Sequence, residues 1–282
     1  MKFWLICLFS GISDFPPEVR TESPPYGKSA MFCFQLDDIC YAASRGTGLR
    51  GFGSPVPAED CAVFQKDLSS DIPMLLRRRL LPAGRLAVGA GSRLLARWPD
   101  ISRIIFASRT GESVRCFRML QEIFAGNGLS PMEFASSVQN SNAGVLSIIR
   151  GYQGEVTAVA GGVNTLSAAV TEAWAALCAH PDMKRILLAV SEESLDGSRD
   201  ILAEPADFGG EYALVLVLSR CSGNGKAGAV QDLLEAQWSE GRYLRRYNGG
   251  AFFGFSPERD GNLSGRELGA ALADECGIWE RP

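Results

Sequence analysis

A short apolar run, a pair of glycines and a long amphipathic stretch follow one another between residues 156 and 177. Residues 156–160 suit a β-strand, and Gly161 and Gly162 permit a sharp bend because glycine has no Cβ atom. In the stretch after them, apolar residues recur at spacings of three and four, which predicts a helix that opens near Asn164 and packs one stripe on a neighbouring layer. That stripe contains Leu166, Ala169, Val170, Ala173, Trp174 and Leu177.

A strand, a sharp bend and a helix N-terminus together form the geometry of a nucleophile elbow, in which one exposed side chain meets the amides of the helix. The residues of the bend are Ala160, Gly161, Gly162 and Val163, and none of them has a nucleophilic side chain. The elbow is therefore expected to be vestigial.

The other strong patterns alternate between strand and helix. Continuous apolar runs at residues 104–107, 185–191 and 212–219 predict buried strands, and residues 82–98 have helical spacing with a proline at the start. This alternation predicts an α/β layered fold with largely parallel strand pairing. Residues 32–70 show no sustained periodicity and are expected to form loops around short strands.

Residues 139–148 have the sequence QNSNAGVLSI and are followed by Gly151 and Gly154. This stretch resembles the segment of β-ketoacyl synthases with the pattern PN-x-x-AG-x-x-SI…G…GP, which precedes the Thr-Ala-Cys of their active site. The resemblance covers about residues 75–220. It is greatest to short, cysteine-less, chain-length-factor-like members found in bacterial aryl-polyene and polyketide pathways. Counted through this motif, the missing cysteine falls in the window of residues 160–163.

The resemblance implies a thiolase-like layered αβα fold, which is the N-terminal half of the ketosynthase αβαβα architecture, with a truncated C-terminal half. We accordingly divide the chain into an N-terminal extension (1–30), a β-ketoacyl synthase-like N-terminal domain (31–220) and a variable C-terminal tail (221–282) with short helices, one of them at residues 230–238. The apolar start superficially suits a signal peptide. Because it lacks an A-x-A-like cleavage site and is too short to span a bilayer, an accessory or mis-started extension is favoured, with Met31 as an alternative start.

The resemblance also implies a function. A full ketosynthase has an active-site cysteine and two active-site histidines, whereas this chain has one histidine, His180, roughly 22 Å along the long helix from the elbow. We therefore expect a protein that is not an enzyme by itself but pairs with an active β-ketoacyl synthase and shapes the tunnel in which the acyl chain grows. Two alternatives stay open: a standalone acyl-binding scaffold protein, and an acyltransferase or decarboxylase that uses Ser137, Thr157, Thr165 or Ser167.

In the chain-length factors that this chain resembles, the helix before the elbow lies at the dimer seam and supplies bulky residues that stop the growing chain. The matching helix is expected over residues 130–138, which begin with a capping box. Phe134 and Val138 then lie one turn apart and are the candidates to close the tunnel, unless they are ordinary core residues. Asn140 and Asn142 either line the tunnel or the seam, or cap the following helix.

A dense basic run lies upstream, at Arg77, Arg78, Arg79 and Arg85. One interpretation is a solvated helix face. The other, which the resemblance supports, is a docking site for an acyl carrier protein, whose phosphopantetheine phosphate and carboxylates suit guanidinium groups.

Charge and composition argue against several other functions and kinds of binding site. A net charge of −4 gives no support to nucleic-acid or membrane-surface binding. The eight cysteines include no C-x-x-C pair, which favours buried free thiols in a reducing cytoplasm over a zinc site or a disulfide framework. Residues 260–265 mimic a calcium loop, but Ala271 stands where a bidentate Glu is required, so a capping box at Ser264 and Glu267 is favoured. Close helix packing explains the isolated G-x-G at residues 89–91 better than a dinucleotide site, and neither a metal nor a cofactor is expected.

Overall fold

The computed structural model describes residues 4–5, 31–44, 48–51, 55–194, 210–221, 243–247 and 250–278. Within these ranges the strands are β1 (Trp4–Leu5), β2 (Phe32–Ala43), β3 (Gly48–Arg50), β4 (Pro55–Val56), β5 (Ile101–Ala107), β6 (Glu155–Val159), β7 (Arg185–Glu192), β8 (Tyr212–Arg220), β9 (Leu244–Tyr247) and β10 (Gly250–Phe255). The helices there are α1 (Cys61–Ser70), α2 (Met74–Arg77), α3 (Pro82–Arg97), α4 (Ser113–Phe124), α5 (Pro131–Ala135), α6 (Ser141–Arg150), α7 (Thr165–Ala179), α8 (Pro257–Asp260) and α9 (Gly265–Ile278). The predicted strands at β5, β7 and β8 and the predicted helices at α3 and α7 are confirmed.

The strands of the described residues lie in one mixed sheet with the order β1-β6-β5-β7-β8-β2-β10-β9, and β3 and β4 branch from β2. Strands β6, β5 and β7 are parallel, as the helical crossovers between them require. Strands β8, β2, β10 and β9 are antiparallel to their neighbours. The expectation of largely parallel pairing is therefore wrong for this half of the sheet. An apolar run indicates a strand that is buried on both faces, but it does not reveal the direction of the neighbouring strand.

The longest strand of the described residues is β2, in a region where the sequence predicts loops and short strands. It lies inside the sheet, between β8 and β10. Two charged residues, Asp37 and Asp38, interrupt its apolar pattern and conceal it. Asp37 accepts a hydrogen bond from Arg185 Nε at 2.9 Å, and Asp38 accepts from Arg97 at 2.8 Å and from the indole of Trp98 at 3.0 Å. These hydrogen bonds offset the desolvation cost of two carboxylates in a mostly buried strand.

Helices cover both faces of the sheet, so the fold is a layered αβα arrangement. On one face, α7 and α9 pack against Ile186, Leu188 and Val190 of β7. On the other face, α1, α3 and α6 pack against Leu187 and Ala189 of the same strand. Successive residues of β7 thus point to opposite faces that are both buried, which explains its unbroken apolar run. The stripe predicted for α7 packs in the first of these layers: Leu166, Ala169, Val170, Ala173, Trp174 and Leu177.

Helix α3 packs so closely against α1 and α6 that two of its glycines have no room for a Cβ atom. A Cβ atom added to Gly89 would lie 2.3 Å from the carbonyl oxygen of Leu68 in α1, and one added to Gly91 would lie 2.9 Å from Leu146 Cδ2 in α6. Close helix packing therefore explains the isolated G-x-G of the sequence.

Residues after 242 contribute to the same core. Strand β10 pairs with β2 on one side and β9 on the other. Phe253 and Phe255 of β10 and Leu268 and Leu272 of α9 are fully buried in the layer that contains α7. The helix predicted at residues 230–238 lies outside the described residues. No helix in the described part of the chain is long and apolar enough to cross a membrane.

Local hydrogen bonds account for the segment that mimics a calcium loop. The carboxylate of Asp260 accepts from the backbone of Ser256 at 2.9 Å and pairs with Arg259 at 2.7 Å. The predicted capping box is confirmed, since Ser264 N donates to the Glu267 carboxylate at 2.8 Å and Glu267 N donates to Ser264 Oγ at 3.2 Å.

Candidate functional site

The predicted strand, bend and helix are confirmed as β6, a sharp bend and α7. Gly162 has a left-handed φ of 59° and opens a single 3₁₀ turn over Gly162–Asn164. The hydroxyl of Thr165 donates to the carbonyl of Gly162 at 2.8 Å and accepts from Gly161 N at 3.0 Å. These bonds hold the bend closed, and they occupy the only hydroxyl that the bend itself contains.

The bend opens on a cavity of about 330 Å³ at the carboxyl ends of the parallel strands. Gly162 and Val163 line it on one side, Glu192 on another, and the turn before α9 closes it with Leu263 and Ser264. None of the described residues that line the cavity is a cysteine or a histidine. The cavity therefore lies at the carboxyl edge of the sheet, and its described lining supplies hydroxyls and a carboxylate but no thiol and no imidazole.

Two of the other hydroxyl candidates form hydrogen bonds with neighbouring groups, and the third is buried. Ser137 donates to the carbonyl of Phe134 at 2.8 Å, and Thr157 accepts from Arg103 at 2.9 Å. Ser167 is buried in α7. His180 is the residue that ends α7, so the length of this helix, roughly 22 Å at 1.5 Å per residue, separates it from the elbow.

A buried carboxylate, which sequence reasoning missed, forms part of the cavity wall. Glu192 is the last residue of β7 and accepts hydrogen bonds from the hydroxyls of Ser108 at 2.9 Å and Thr110 at 2.8 Å and from Thr110 N at 3.1 Å, and also from Arg109 N. Burial raises the pKa of Glu192, and these donors oppose that rise. Two glutamates directly after an apolar strand were the signal in the sequence, because that position lies at the carboxyl edge of the sheet.

The second glutamate of this pair, Glu193, faces the first turn of α3. Its carboxylate accepts from Ala83 N at 2.7 Å and from Gly84 N at 3.4 Å. Burial raises the pKa of Glu193 to about 7, and the charges of Glu112 and Glu211 add to the rise. Glu193 is therefore a carboxyl group that changes charge near neutral pH.

Asn140 and Asn142 precede and begin α6, but neither caps it through its side chain. Asn140 occupies the N-cap position without a side-chain hydrogen bond to the helix, and Asn142 Oδ1 is buried with no partner among the described residues. Asn140 thus has the predicted N-cap position, but neither asparagine forms the side-chain hydrogen bond of a cap.

An exposed apolar surface covers α4, α5 and the turns beside them, and we call it the α4–α5 surface. Helix α4 is amphipathic, yet its only buried side chain is Arg115, which bonds to Glu112 at 3.0 Å and to Glu133 at 2.5 Å. Phe124 is 88% exposed. Helices α4 and α5 contact each other, and exposed apolar surface on a monomer often marks an interaction site. The surface contains Leu120, Ile123, Phe124, Leu129, Met132, Phe134 and Val138.

The helix predicted over residues 130–138 is shorter in the structure. It begins as predicted, with Ser130 Oγ accepting from Glu133 N, but α5 ends at Ala135. Phe134 and Val138 consequently do not share a helix face. Their exposures are 66% and 50%, so they are not core residues.

The basic candidates lie around α2 and the start of α3. Arg78 and Arg79 are exposed, and Arg85 Nε donates to the carbonyls of Arg77 and Leu80. Arg93, further along α3, instead pairs with Asp67 and Asp71. Within the described part of the chain, no carboxylate forms an ion pair with the four candidates Arg77, Arg78, Arg79 and Arg85.

One family model and several solved structures match the chain. The family model of the β-ketoacyl synthase N-terminal domain matches residues 58–242. The complex of the ketosynthase ApeO with its chain length factor ApeC from Xenorhabdus doucetiae aligns with a TM-score of 0.57 and 21% identity, over 79% of this chain and 99% of the matched chain. A β-ketoacyl synthase from Burkholderia phymatum STM815 aligns with a TM-score of 0.43 and 13% identity, over 72% of this chain and 61% of that one. No curated protein matches the sequence. The first alignment confirms the predicted fold class, a thiolase-like layered αβα fold.

Proposed function

Because the chain belongs to the β-ketoacyl synthase N-terminal domain family, we propose that it is a non-catalytic, chain-length-factor-like subunit that pairs with an active β-ketoacyl synthase. The process it serves is type II fatty-acid, polyketide or aryl-polyene biosynthesis in the cytoplasm. The observation that carries the proposal is the elbow, which has kept its bend and lost its nucleophile.

The α4–α5 surface supports the pairing. An amphipathic helix that buries an arginine and exposes its apolar side chains is costly in water, since each large side chain left exposed forgoes about 1.5–3 kcal/mol of burial energy. A partner that covers this surface recovers that energy. The solved complex of ApeO with its chain length factor is a precedent for such a pair, and its matched chain is shorter than this one, since 79% of this chain covers 99% of it.

Within the pair, we assign the positions that face the partner and the substrate. Phe134 and Val138 close the tunnel in which the acyl chain grows, and Asn140 and Asn142 lie at the seam between the subunits. An acyl carrier protein delivers the chain on its phosphopantetheine arm. Its acidic surface docks on four arginines that have no carboxylate partner among the described residues, Arg77, Arg78, Arg79 and Arg85.

An acyltransferase or decarboxylase acting alone has less support. It would need a base within hydrogen-bond reach of one of the candidate hydroxyls. Thr165 is committed to the bend, Thr157 accepts from an arginine, and the histidine lies at the far end of α7.

The pairing is tested by placing a charge on the α4–α5 surface. Phe124→Glu should weaken binding to an active β-ketoacyl synthase from the same organism at least tenfold, because a carboxylate would be buried at the centre of the interface. The measurement is co-expression followed by gel filtration and titration of the purified partners. Thermal unfolding of the isolated variant should match that of the wild type, since Phe124 is 88% exposed.

Val63→Glu is the matched control, because Val63 is 64% exposed on α1, outside the α4–α5 surface. It should leave binding unchanged. Equal binding by wild type and Phe124→Glu would contradict the proposed interface, and a wild-type chain that ignores the ketosynthase would contradict the proposed function.

A further inference from the structure

Two cysteines that are far apart in the sequence meet at one end of the β2–β8 pair. Cys33 lies near the start of β2, and Cys221 directly follows β8. The register places Phe34 opposite Arg220 and Gln35 opposite Ser219, so Cys33 lies opposite Cys221. Their sulfur atoms are 3.1 Å apart, with Cys33 as the donor.

This placement is suited to a covalent bond. Residues directly opposite each other in an antiparallel pair have Cα atoms about 4.5 or 5.5 Å apart, and disulfides form at Cα separations of about 4.4–6.8 Å. A bond between the two sulfurs therefore requires a small side-chain adjustment and no movement of the strands.

The two thiols are not equivalent. Cys33 is buried beside Met31 and Phe252, whereas Cys221 is half-buried and can meet a solute. The hydrogen bond from Cys33 lowers the pKa of Cys221 and raises that of Cys33. Cys221 is therefore the better attacking group and Cys33 the group that resolves the intermediate.

We propose that Cys33 and Cys221 form a redox-active dithiol that small disulfides, such as oxidised glutathione, convert to an intramolecular disulfide. The thiolate of Cys221 attacks one sulfur of glutathione disulfide, forms a mixed disulfide and releases one glutathione thiolate. Cys33 then loses its proton, its sulfur attacks that of Cys221, and the second glutathione thiolate leaves. Two protein thiols are oxidised to one disulfide, and one glutathione disulfide is reduced to two thiols, which take up the two protons.

The site lies away from the elbow and does not depend on the proposed function. The disulfide would link the start of β2 covalently to the residue that follows β8. Reduction of the disulfide by a thiol would reverse the step, so the state of the pair would follow the redox poise of its surroundings.

The test uses the full chain, first reduced and then incubated with oxidised glutathione, quenched with acid, alkylated, digested and analysed by mass spectrometry. We expect a cross-linked peptide that contains Cys33 and Cys221 and a loss of alkylation at both. In Cys33→Ser, Cys221 should instead keep glutathione as a stable mixed disulfide, because no thiol resolves it. Cys116→Ser is the matched control and should leave the cross-link unchanged, since Cys116 contacts the carbonyl of Ser137 instead.

Two outcomes would overturn the proposal. Either Cys33 and Cys221 both remain fully alkylated in the wild type after exposure to excess oxidised glutathione, or the wild type keeps glutathione on Cys221 as Cys33→Ser does. Both are read on the wild-type chain, so they decide the question even if Cys33→Ser does not fold.

Discussion

Glu193 makes the stability of the fold depend on pH. Its pKa is about 7 in the folded chain, against about 4.3 for an exposed glutamate, so between these values the folded state binds more protons than the unfolded state. The free energy of unfolding should therefore fall as pH rises from about 4 to about 7, and level off above. In Glu193→Gln this loss should be smaller by about 1–3 kcal/mol, from 1.36 kcal/mol per unit of pKa shift. Urea unfolding at pH 5 and pH 8 measures the difference.

Glu59→Gln is the control for this experiment, because Glu59 is exposed and its substitution should leave the pH dependence as in the wild type. Part of the dependence should remain in Glu193→Gln, since burial also raises the pKa values of Glu112 and Glu192. An unchanged difference between pH 5 and pH 8 in Glu193→Gln would show that its carboxyl group is ionised in the fold throughout this range.

The residues of the elbow lead to a second prediction, which concerns covalent acylation. After incubation with acyl thioesters, the isolated protein should carry no covalent acyl group on residues 160–177, because the hydroxyl of Thr165 is held by Gly161 and Gly162 and none of the described residues lining the cavity is a cysteine. Intact-protein mass spectrometry followed by peptide mapping checks this. A stoichiometric adduct within those residues would mean that the chain is an acyltransferase in its own right.

Among helices, α5 provides the test of chain-length control. Phe134→Ala should cost less than about 1 kcal/mol of stability because Phe134 is 66% exposed. The heterodimer should persist, because the other six apolar side chains of the α4–α5 surface remain. If this ring closes the tunnel, the reconstituted pair with Phe134→Ala should release longer acyl or polyene products. Mass spectrometry of the products gives the length distribution.

Val63→Ala is the matched control, since Val63 is 64% exposed on α1, outside the α4–α5 surface. It should leave the product lengths unchanged. An intact Phe134→Ala heterodimer with the wild-type product distribution would exclude Phe134 as the residue that stops the chain.

How far the elements could be predicted depended on how regular their patterns were. Helices α3 and α7 and the bend before α7 were predictable because propensity, apolar spacing and glycine chemistry agree there. Strand β2 was not, because Asp37 and Asp38 find partners on Arg185 and on residues of α3 that only the tertiary structure brings near. The end of α5 at Ala135 was also missed. A capping box predicts where a helix begins, but it does not predict where the helix ends.

For the whole molecule, the test is whether residues 221–282 form a separate tail, as the sequence division predicts. A chain ending at Cys221 loses Phe253, Phe255, Leu268 and Leu272, each of which is fully buried. Burial of such side chains contributes about 1.5–3 kcal/mol apiece, which together matches the total stability of about 5–15 kcal/mol for a domain. We expect this truncated chain not to fold, as judged by solubility and circular dichroism.

A chain that starts at Met31 serves as the control for truncation, and it should unfold cooperatively. If the chain ending at Cys221 also unfolds cooperatively, at the temperature of the full chain, residues 221–282 are a dispensable tail and the predicted division is correct.

Strand β2 is synthesised early, but β8 and β10, which flank it in the sheet, are synthesised much later. In the finished sheet Phe34 lies opposite Arg220 on one side and Phe253 on the other. A ribosome that adds roughly 5–20 residues per second needs on the order of 10–40 s to pass from Phe34 to Arg220. During that interval β2 can pair only with β3, at Cys40 and Tyr41, so the apolar side chains along the rest of its 12 residues are available to chaperones or to other nascent chains. The yield of mature protein should therefore respond to the speed of translation between these segments.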